Sequence, residues 1–205
     1  VVGDSRSLET SDSKVRVFHY RYETHNEKSR VHLRLDPDGH GTLIINANRI
    51  MHLNPTAALL AYLILEGNDE SQSVNAIKNR YHVKSRQAHE DYRAFKTQLD
   101  ELIRPDGACP IHDMELDVVA PFSDRPSAPY RMDLALTYRC NNDCAHCYNA
   151  RARTFPELST DDWKRILDKV WELGIPHVVF TGGEPTLHPD ILALLERCNL
   201  VTTGL

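Results

Sequence analysis

The hydrophobic period changes partway along the chain. Up to residue 53 apolar residues recur at every second position, as on a half-buried strand; over 54–103 they recur at every third or fourth, as on one face of a helix. Val31-His32-Leu33-Arg34-Leu35 alternates, Asp36-Pro37-Asp38-Gly39-His40-Gly41 is a turn cluster, and Thr42-Leu43-Ile44-Ile45 returns, which predicts a hairpin. Arg49-Ile50-Met51-His52-Leu53 predicts a third short strand, and the run 15–22, which alternates in part, is a further candidate. Three helices follow. Asn54-Pro55 gives a cap and a proline at the first helical position, with Ala58, Leu59, Tyr62, Leu63 and Leu65 leading to a terminating Gly67. The second helix is predicted from Ser71 or Ser73, with Val74, Ile77 and Tyr81 on one face. The third is predicted after Ser85, with Ala88, Tyr92, Phe95, Leu99 and Leu102 at helical spacing.

Five prolines punctuate 104–129, which reads as a linker, with Cys109 and His112 inside it and 117–119 able to pair with a sheet. Strand-like runs then alternate with helical ones. Arg131-Met132-Asp133-Leu134-Ala135-Leu136-Thr137 and His177-Val178-Val179-Phe180 read as strands, and 200–203 begins another. Between them Ser159 or Thr160 caps a helix with Trp163, Ile166, Leu167, Val170 and Trp171 as its stripe, ended by Gly174. Pro189 starts a further helix carrying Ile191, Leu192, Leu194 and Leu195, with Cys198 as a small buried side chain near its end. Strands alternating with helices predict a parallel sheet, whose ligand sites gather at the carboxyl ends of its strands.

Composition narrows the class. At 205 residues and 41% hydrophobic, the chain can bury one or two cores. A formal net charge of −5 gives no general pull toward nucleic acid or anionic lipid. No apolar run approaches the roughly 20 residues of a membrane helix. No signal peptide is visible in the polar start Val1-Val2-Gly3-Asp4-Ser5-Arg6, and clustered cysteines fit a reducing cytoplasm better than a disulfide framework.

The candidate chemistry sits at Cys140-Asn141-Asn142-Asp143-Cys144-Ala145-His146-Cys147, where three cysteines stand at C-x3-C-x2-C spacing directly after a strand. Three thiolates on so short a loop can surround an iron–sulfur cluster and leave one iron open, since such clusters normally take four. Two alternatives use only part of the pattern. Cys144 and Cys147 could enter a structural zinc site, which needs four ligands and would draw on His146 or on Cys109 and His112. A redox C-x-x-C leaves Cys140 without a role.

This spacing resembles the radical SAM family, and the resemblance extends to Thr181-Gly182-Gly183-Glu184-Pro185 after the second strand, covering roughly residues 130–205. It implies that Cys140, Cys144 and Cys147 hold a [4Fe-4S] cluster and that S-adenosylmethionine chelates the open iron. One-electron cleavage of its sulfonium carbon–sulfur bond would then give a 5′-deoxyadenosyl radical that abstracts hydrogen from substrate. It assigns cofactor contacts to Thr181, Gly182, Gly183, Glu184 and Pro185, with Glu184 on the ammonium group. His146 stands where the family usually has an aromatic residue, and Tyr148 is a neighbouring contact. It also implies a six-unit partial (β/α)6 barrel, of which 205 residues would hold the first half, truncated in its third strand, and an electron donor such as flavodoxin or ferredoxin.

Three strands followed by three helices resemble the peptide chaperone of pyrroloquinoline quinone biosynthesis and the related elements that recognise leader peptides. This implies a winged-helix-like domain that binds a leader as an added strand at 50–53 (Ile50, Met51, His52, Leu53), beside Arg86 and His89 of the third helix. A DNA-binding winged helix is the competing reading, but over 31–103 eight Lys/Arg against nine Asp/Glu leave a net −1 rather than a basic face. The expected organisation is a disordered tail (1–14), a recognition domain (15–103), a linker (104–129) and the start of a radical SAM core (130–205). The expected function is modification of a ribosomally synthesised precursor peptide. The alternatives are a small-molecule or protein substrate with the first domain docking a partner, or a non-catalytic leader-binding fragment.

Overall fold

The structure, a computed structural model, describes residues 14–23, 28–46, 49–104, 126–149 and 156–198, and the backbone of 202–204. Most of the expected tail and linker, with Cys109, His112 and 117–119, lies outside the described residues, as do the basic residues Arg151 and Arg153 and positions 200–201. The chain divides into two compact units, Val1–Ser127 and Ala128–Leu205.

The first unit opens with four antiparallel strands, β1 Arg16–Glu23, β2 Lys28–Leu35, β3 Gly41–Ile45 and β4 Arg49–Leu53, paired in that order. The partly alternating run at 15–22 is thus a full strand, and four strands rather than three precede the helices. Register puts Phe18, Leu33, Leu43 and Met51 in one row across the sheet. Helices α1 Pro55–Leu65, α2 Glu70–Tyr81 and α3 Ser85–Ile103 follow. Ala58, Ala61, Tyr62 and Leu65 of α1 and Leu99 and Leu102 of α3 close the core over that row. Each fully buried Leu or Ile there contributes roughly 2 kcal/mol relative to exposure. The fit is close where α1 crosses the sheet, since a Cβ on Gly41 would stand 3.0 Å from that of Ala58.

The helix starts follow their caps. Asn54 accepts the Ala57 amide at 2.9 Å, as its sequence predicts. The second helix begins before Ser71, because Asp69 and Gln72 exchange side-chain and backbone bonds in a capping box at 2.8 and 2.9 Å.

The opposite face of the sheet is not left in water. His32, Arg34, Thr42 and Ile44 are all buried. His19 Nδ1 lies 2.7 Å from His32 Nδ1, and burial, aided by Arg30 and Arg34, pushes the His32 imidazole down to about 4.

The second unit is built from β5 Arg131–Thr137, α4 Thr160–Glu172, β6 His177–Gly182, a 3-10 turn Pro185–Leu187, α5 Ile191–Arg197 and β7 Thr202–Gly204. Its three strands are parallel, in the order β5-β6-β7. Ser159 caps α4 in a box with Asp162, and Trp163, Leu167 and Val170 are buried against the sheet. Trp163 is a core residue and Trp171 packs half-buried against the same core. The last helix differs from expectation. Pro185, not Pro189, opens a turn, and α5 starts at Ile191. Leu192 falls off its buried side and is 72% exposed. Cys198 is buried, and burial pushes its thiol up to about 11. Among the described residues no helix is long and apolar enough to cross a membrane.

Candidate functional site

Strands β5 and β6 stay in register up to the Ala135–Thr181 pair. There the ladder slips, and Thr137 comes to stand opposite Gly182. The slip lets the two chains remain bonded beyond the strand ends. The Gly183 amide donates to the Thr137 carbonyl at 2.8 Å, and the Glu184 amide donates to the Arg139 carbonyl at 2.8 Å. The segment 182–184 is therefore laid along the residues that lead into Cys140.

That contact needs both glycines. Gly182 has φ +125°, and a Cβ on it would stand 2.1 Å from the Thr137 carbonyl oxygen. A Cβ on Gly183 would stand 2.2 Å from that of Arg139. The resemblance assigns both glycines to cofactor contact. The structure gives these glycines a requirement of their own, the exit of β5.

The cysteine loop starts from this anchored point. Cys140 and Cys144 are exposed, Cys147 is half-buried, and all three thiols are free. The Cys147 amide donates to the Cys144 carbonyl at 3.0 Å, closing a turn, and the Asn142 amide lies 3.4 Å from Cys140 Sγ. His146 is exposed and Tyr148 is 80% exposed. Past the last cysteine, Asn149 Nδ2 donates to the Gly182 carbonyl at 2.6 Å. The donor set fits an iron–sulfur cluster: free thiols on one loop, tied at its base and accessible from solvent. Among the described residues no three His, Cys, Asp or Glu side chains are already grouped as metal ligands.

Beneath the loop lies a polar network that sequence reasoning missed. The buried Thr137 hydroxyl donates to the Glu157 carboxylate, and Arg139 Nε is 3.4 Å from the same carboxylate. Arg139 Nη2 reaches the Leu187 carbonyl at 3.3 Å. The Thr137 hydroxyl, then the Arg139 guanidinium, hold Glu157 below the usual carboxylate range. Glu184 accepts the Thr186 hydroxyl at 2.6 Å and the Thr186 amide at 3.1 Å, which lower its proton affinity in the same way. Thr181, Gly182, Gly183, Glu184 and Pro185 are all half-buried. Glu157 carries no local signal, since it meets Thr137 across 20 residues of chain. Asn149, two residues past Cys147, was open to notice.

In the first unit, β4 is an edge strand. Ile50 and His52 are exposed, Met51 is half-buried against the core, and Leu53 is buried. Arg49 donates to the Leu102 and Arg104 carbonyls at 2.7 and 3.1 Å, fixing the start of β4 to the C-terminal end of α3. Arg86 and His89 sit at the other end. Arg86 pairs with Glu90 at 2.8 Å and His89 with Glu70 at 2.7 Å. His89 is thus separated from Leu102 by about 20 Å along the helix axis at 1.5 Å per residue.

Two family models match the chain. Residues 134–202, which hold the cysteine loop and the 181–185 segment, match the Radical SAM superfamily. Residues 32–102 match PqqD, coenzyme PQQ synthesis protein D. Both resemblances read from the sequence are borne out, in the segments that carried them. Curated relatives include the PqqA peptide cyclases of Methylorubrum extorquens (strain PA1), 38% identical over 86 residues, and of Gluconobacter oxydans (strain 621H), 36% identical over 88 residues. Each match covers 38% of this chain, and 22% and 25% of the respective relative. The chain thus spans about a quarter of the length of these relatives. Among solved structures, Streptococcus suis SuiB bound to precursor peptide SuiA aligns with TM-score 0.52 at 20% identity, over 90% of this chain and 42% of that one. SuiB bound to S-adenosylmethionine aligns at 0.51 and 20% identity, over 84% and 39%. At that identity the likeness is one of fold.

Proposed function

We propose that this protein is a radical SAM enzyme that modifies a ribosomally synthesised precursor peptide, with the leader held by the 32–102 unit. One observation carries the reading. A Radical SAM segment and a PqqD segment occur in one chain, and the SuiB structure with the same overall fold is one bound to a precursor peptide. The PqqA peptide cyclases add a relative that acts on a peptide.

In this reading the first unit is a winged-helix-like recognition domain, and β5 to β7 begin a partial (β/α)6 barrel. Cys140, Cys144 and Cys147 hold a [4Fe-4S] cluster, and S-adenosylmethionine lies along 181–185 near His146 and Tyr148. When bound, the pair supplies one-electron cleavage of a carbon–sulfur bond and, through it, hydrogen abstraction. The protein's own part is placement. The Thr137 and Arg139 carbonyls fix 183–184 beside the start of the cysteine loop. The Glu184 carboxylate, kept ionised by Thr186, offers its remaining acceptor positions to the ammonium group. A flavodoxin or ferredoxin in the cytoplasm supplies the electron, and β4 receives the leader at its open edge.

The test is electron paramagnetic resonance of anaerobically reconstituted, reduced protein with and without S-adenosylmethionine. A [4Fe-4S] signal that shifts with the cofactor supports the reading. Protein that takes up zinc and no cluster would overturn it.

A further inference from the structure

We infer that Asn149 is a positioning residue that closes the cysteine loop onto the cofactor-binding segment, so that the three thiols and 182–184 move as one body. The inference rests on the function proposed above but starts from geometry. The loop is joined to 182–184 at both of its ends. At its entrance, the Thr137 and Arg139 carbonyls accept the Gly183 and Glu184 amides, each at 2.8 Å. At its exit, the half-buried Asn149 side chain donates to the Gly182 carbonyl at 2.6 Å. The eight residues 140–147 thus form a closed lobe whose two ends meet on three consecutive residues of the other strand's extension.

The two ends differ in kind. The entrance is held by backbone, and it is backed by Thr137, Glu157 and Arg139 beneath it. Among the described residues the exit is held by one side chain. Gly182 makes this possible, since its φ of +125° is a conformation that L side chains rarely adopt. The loop itself is exposed at 141–146 and contributes little packing to its own placement. Among the described residues a single hydrogen bond at the exit therefore limits how far Cys147 can swing from 182–184.

Asn149→Leu tests this, because it keeps the approximate size, adds no charge and removes the donor. Amide hydrogen exchange is read first on the full chain without metal. Faster exchange at Gly183, Glu184 and Cys147 in the variant, with an unchanged thermal midpoint, supports the clasp. Equal exchange overturns it. The reconstituted proteins are then titrated with S-adenosylmethionine, followed by the shift of the reduced-cluster signal. The variant is expected to hold wild-type iron and to need about fivefold more cofactor for half the shift, the effect of one net hydrogen bond. Equal titration midpoints would also overturn the positioning role. A wild-type protein that assembles no cluster, but whose variant still exchanges faster, would sink the proposed function and leave the clasp standing.

Discussion

Gly183 and Arg139 are in contact through backbone alone: a methyl group on Gly183 would stand 2.2 Å from the Arg139 carbonyl oxygen. The group in the way is main chain, and it already accepts the Glu184 amide, so it cannot turn aside as a side chain would. Gly183→Ala must therefore part the cysteine loop from the 182–184 segment. The expected loss of stability is about 1–3 kcal/mol, the range for overpacking a filled site. The protein's two tryptophans, Trp163 and Trp171, both lie in this unit, so urea unfolding followed by their fluorescence reports it directly. An unchanged midpoint would show that the segments do not touch as described.

The four described cysteines divide by environment. Cys140 and Cys144 are exposed and Cys147 is half-buried, while Cys198 is buried with its thiol pushed up to about 11. In metal-free protein at pH 8, iodoacetamide should label Cys140 and Cys144 fastest and Cys198 least. Alanine at 140, 144 or 147 should abolish iron uptake, and Cys198→Ala should leave it intact. The sign for Cys198 follows from its raised value. Below the ordinary 9.0 its contribution to stability is complete, and between 9 and about 11 the unfolded thiol ionises first and that contribution fades. Prompt labelling of Cys198 in folded protein would contradict its burial.

His32 gives the first unit an acid-sensitive point. Its imidazole is held down to about 4 against an ordinary 6.5, by burial first and then by Arg30 and Arg34. The unfolded chain therefore binds the proton first as pH falls. The stability from neutral His32 is complete above 6.5 and is lost on acidification toward 4, up to about 3 kcal/mol. His32→Gln removes the titration. Its unfolding free energy, from circular dichroism in urea, should fall less than the wild type's between pH 7 and pH 4.5. Parallel profiles would mean that His32 binds its proton equally in the folded and unfolded chain, and is not held down by burial.

What the sequence revealed follows the range of the forces involved. Asn54-Pro55, the turn at 36–41 and the stripe from Trp163 to Trp171 act over one or two turns, and each element stands where its residues place it. The cysteine loop and the 181–185 segment were legible because the spacing of their residue types marks them, and the Radical SAM superfamily model matches residues 134–202. The Thr137–Glu157–Arg139 network was not, since its members meet only after β5 and α4 pack, and no periodicity encodes a contact at that separation. The burial of His32 and Arg34 was hidden for a similar reason. Alternation in Val31-His32-Leu33-Arg34-Leu35 describes a strand with one wet face, and it says nothing of what later covers that face. Asp69 was passed over because two serines nearby are equally good caps, and only the reciprocal bond with Gln72 decides between them.

Edge strand β4 exposes Ile50 and His52 while Met51 turns into the core. A substitution at Met51 would therefore disturb packing before it reported on binding. The cleaner variable is the peptide. If the leader adds as a strand, every second amide of its bound segment points to β4 and the intervening ones point away. A series of precursor peptides, each N-methylated at one position, should lose affinity with period two, about fivefold to tenfold at each bonded amide. Calorimetric titration of the full chain would read this without altering the protein. A series without the period of two would exclude strand addition, and loss at every position of an interior run would point to a helical leader, whose amides all donate within the helix. Arg86 and His89, about 24 and 20 Å along α3 from the Arg49 anchor at 1.5 Å per residue, separate two versions of the mode. If the leader stays beside β4, Arg86→Ala leaves its affinity unchanged. If it continues along α3, that substitution weakens binding and the segment showing period two ends before the peptide does.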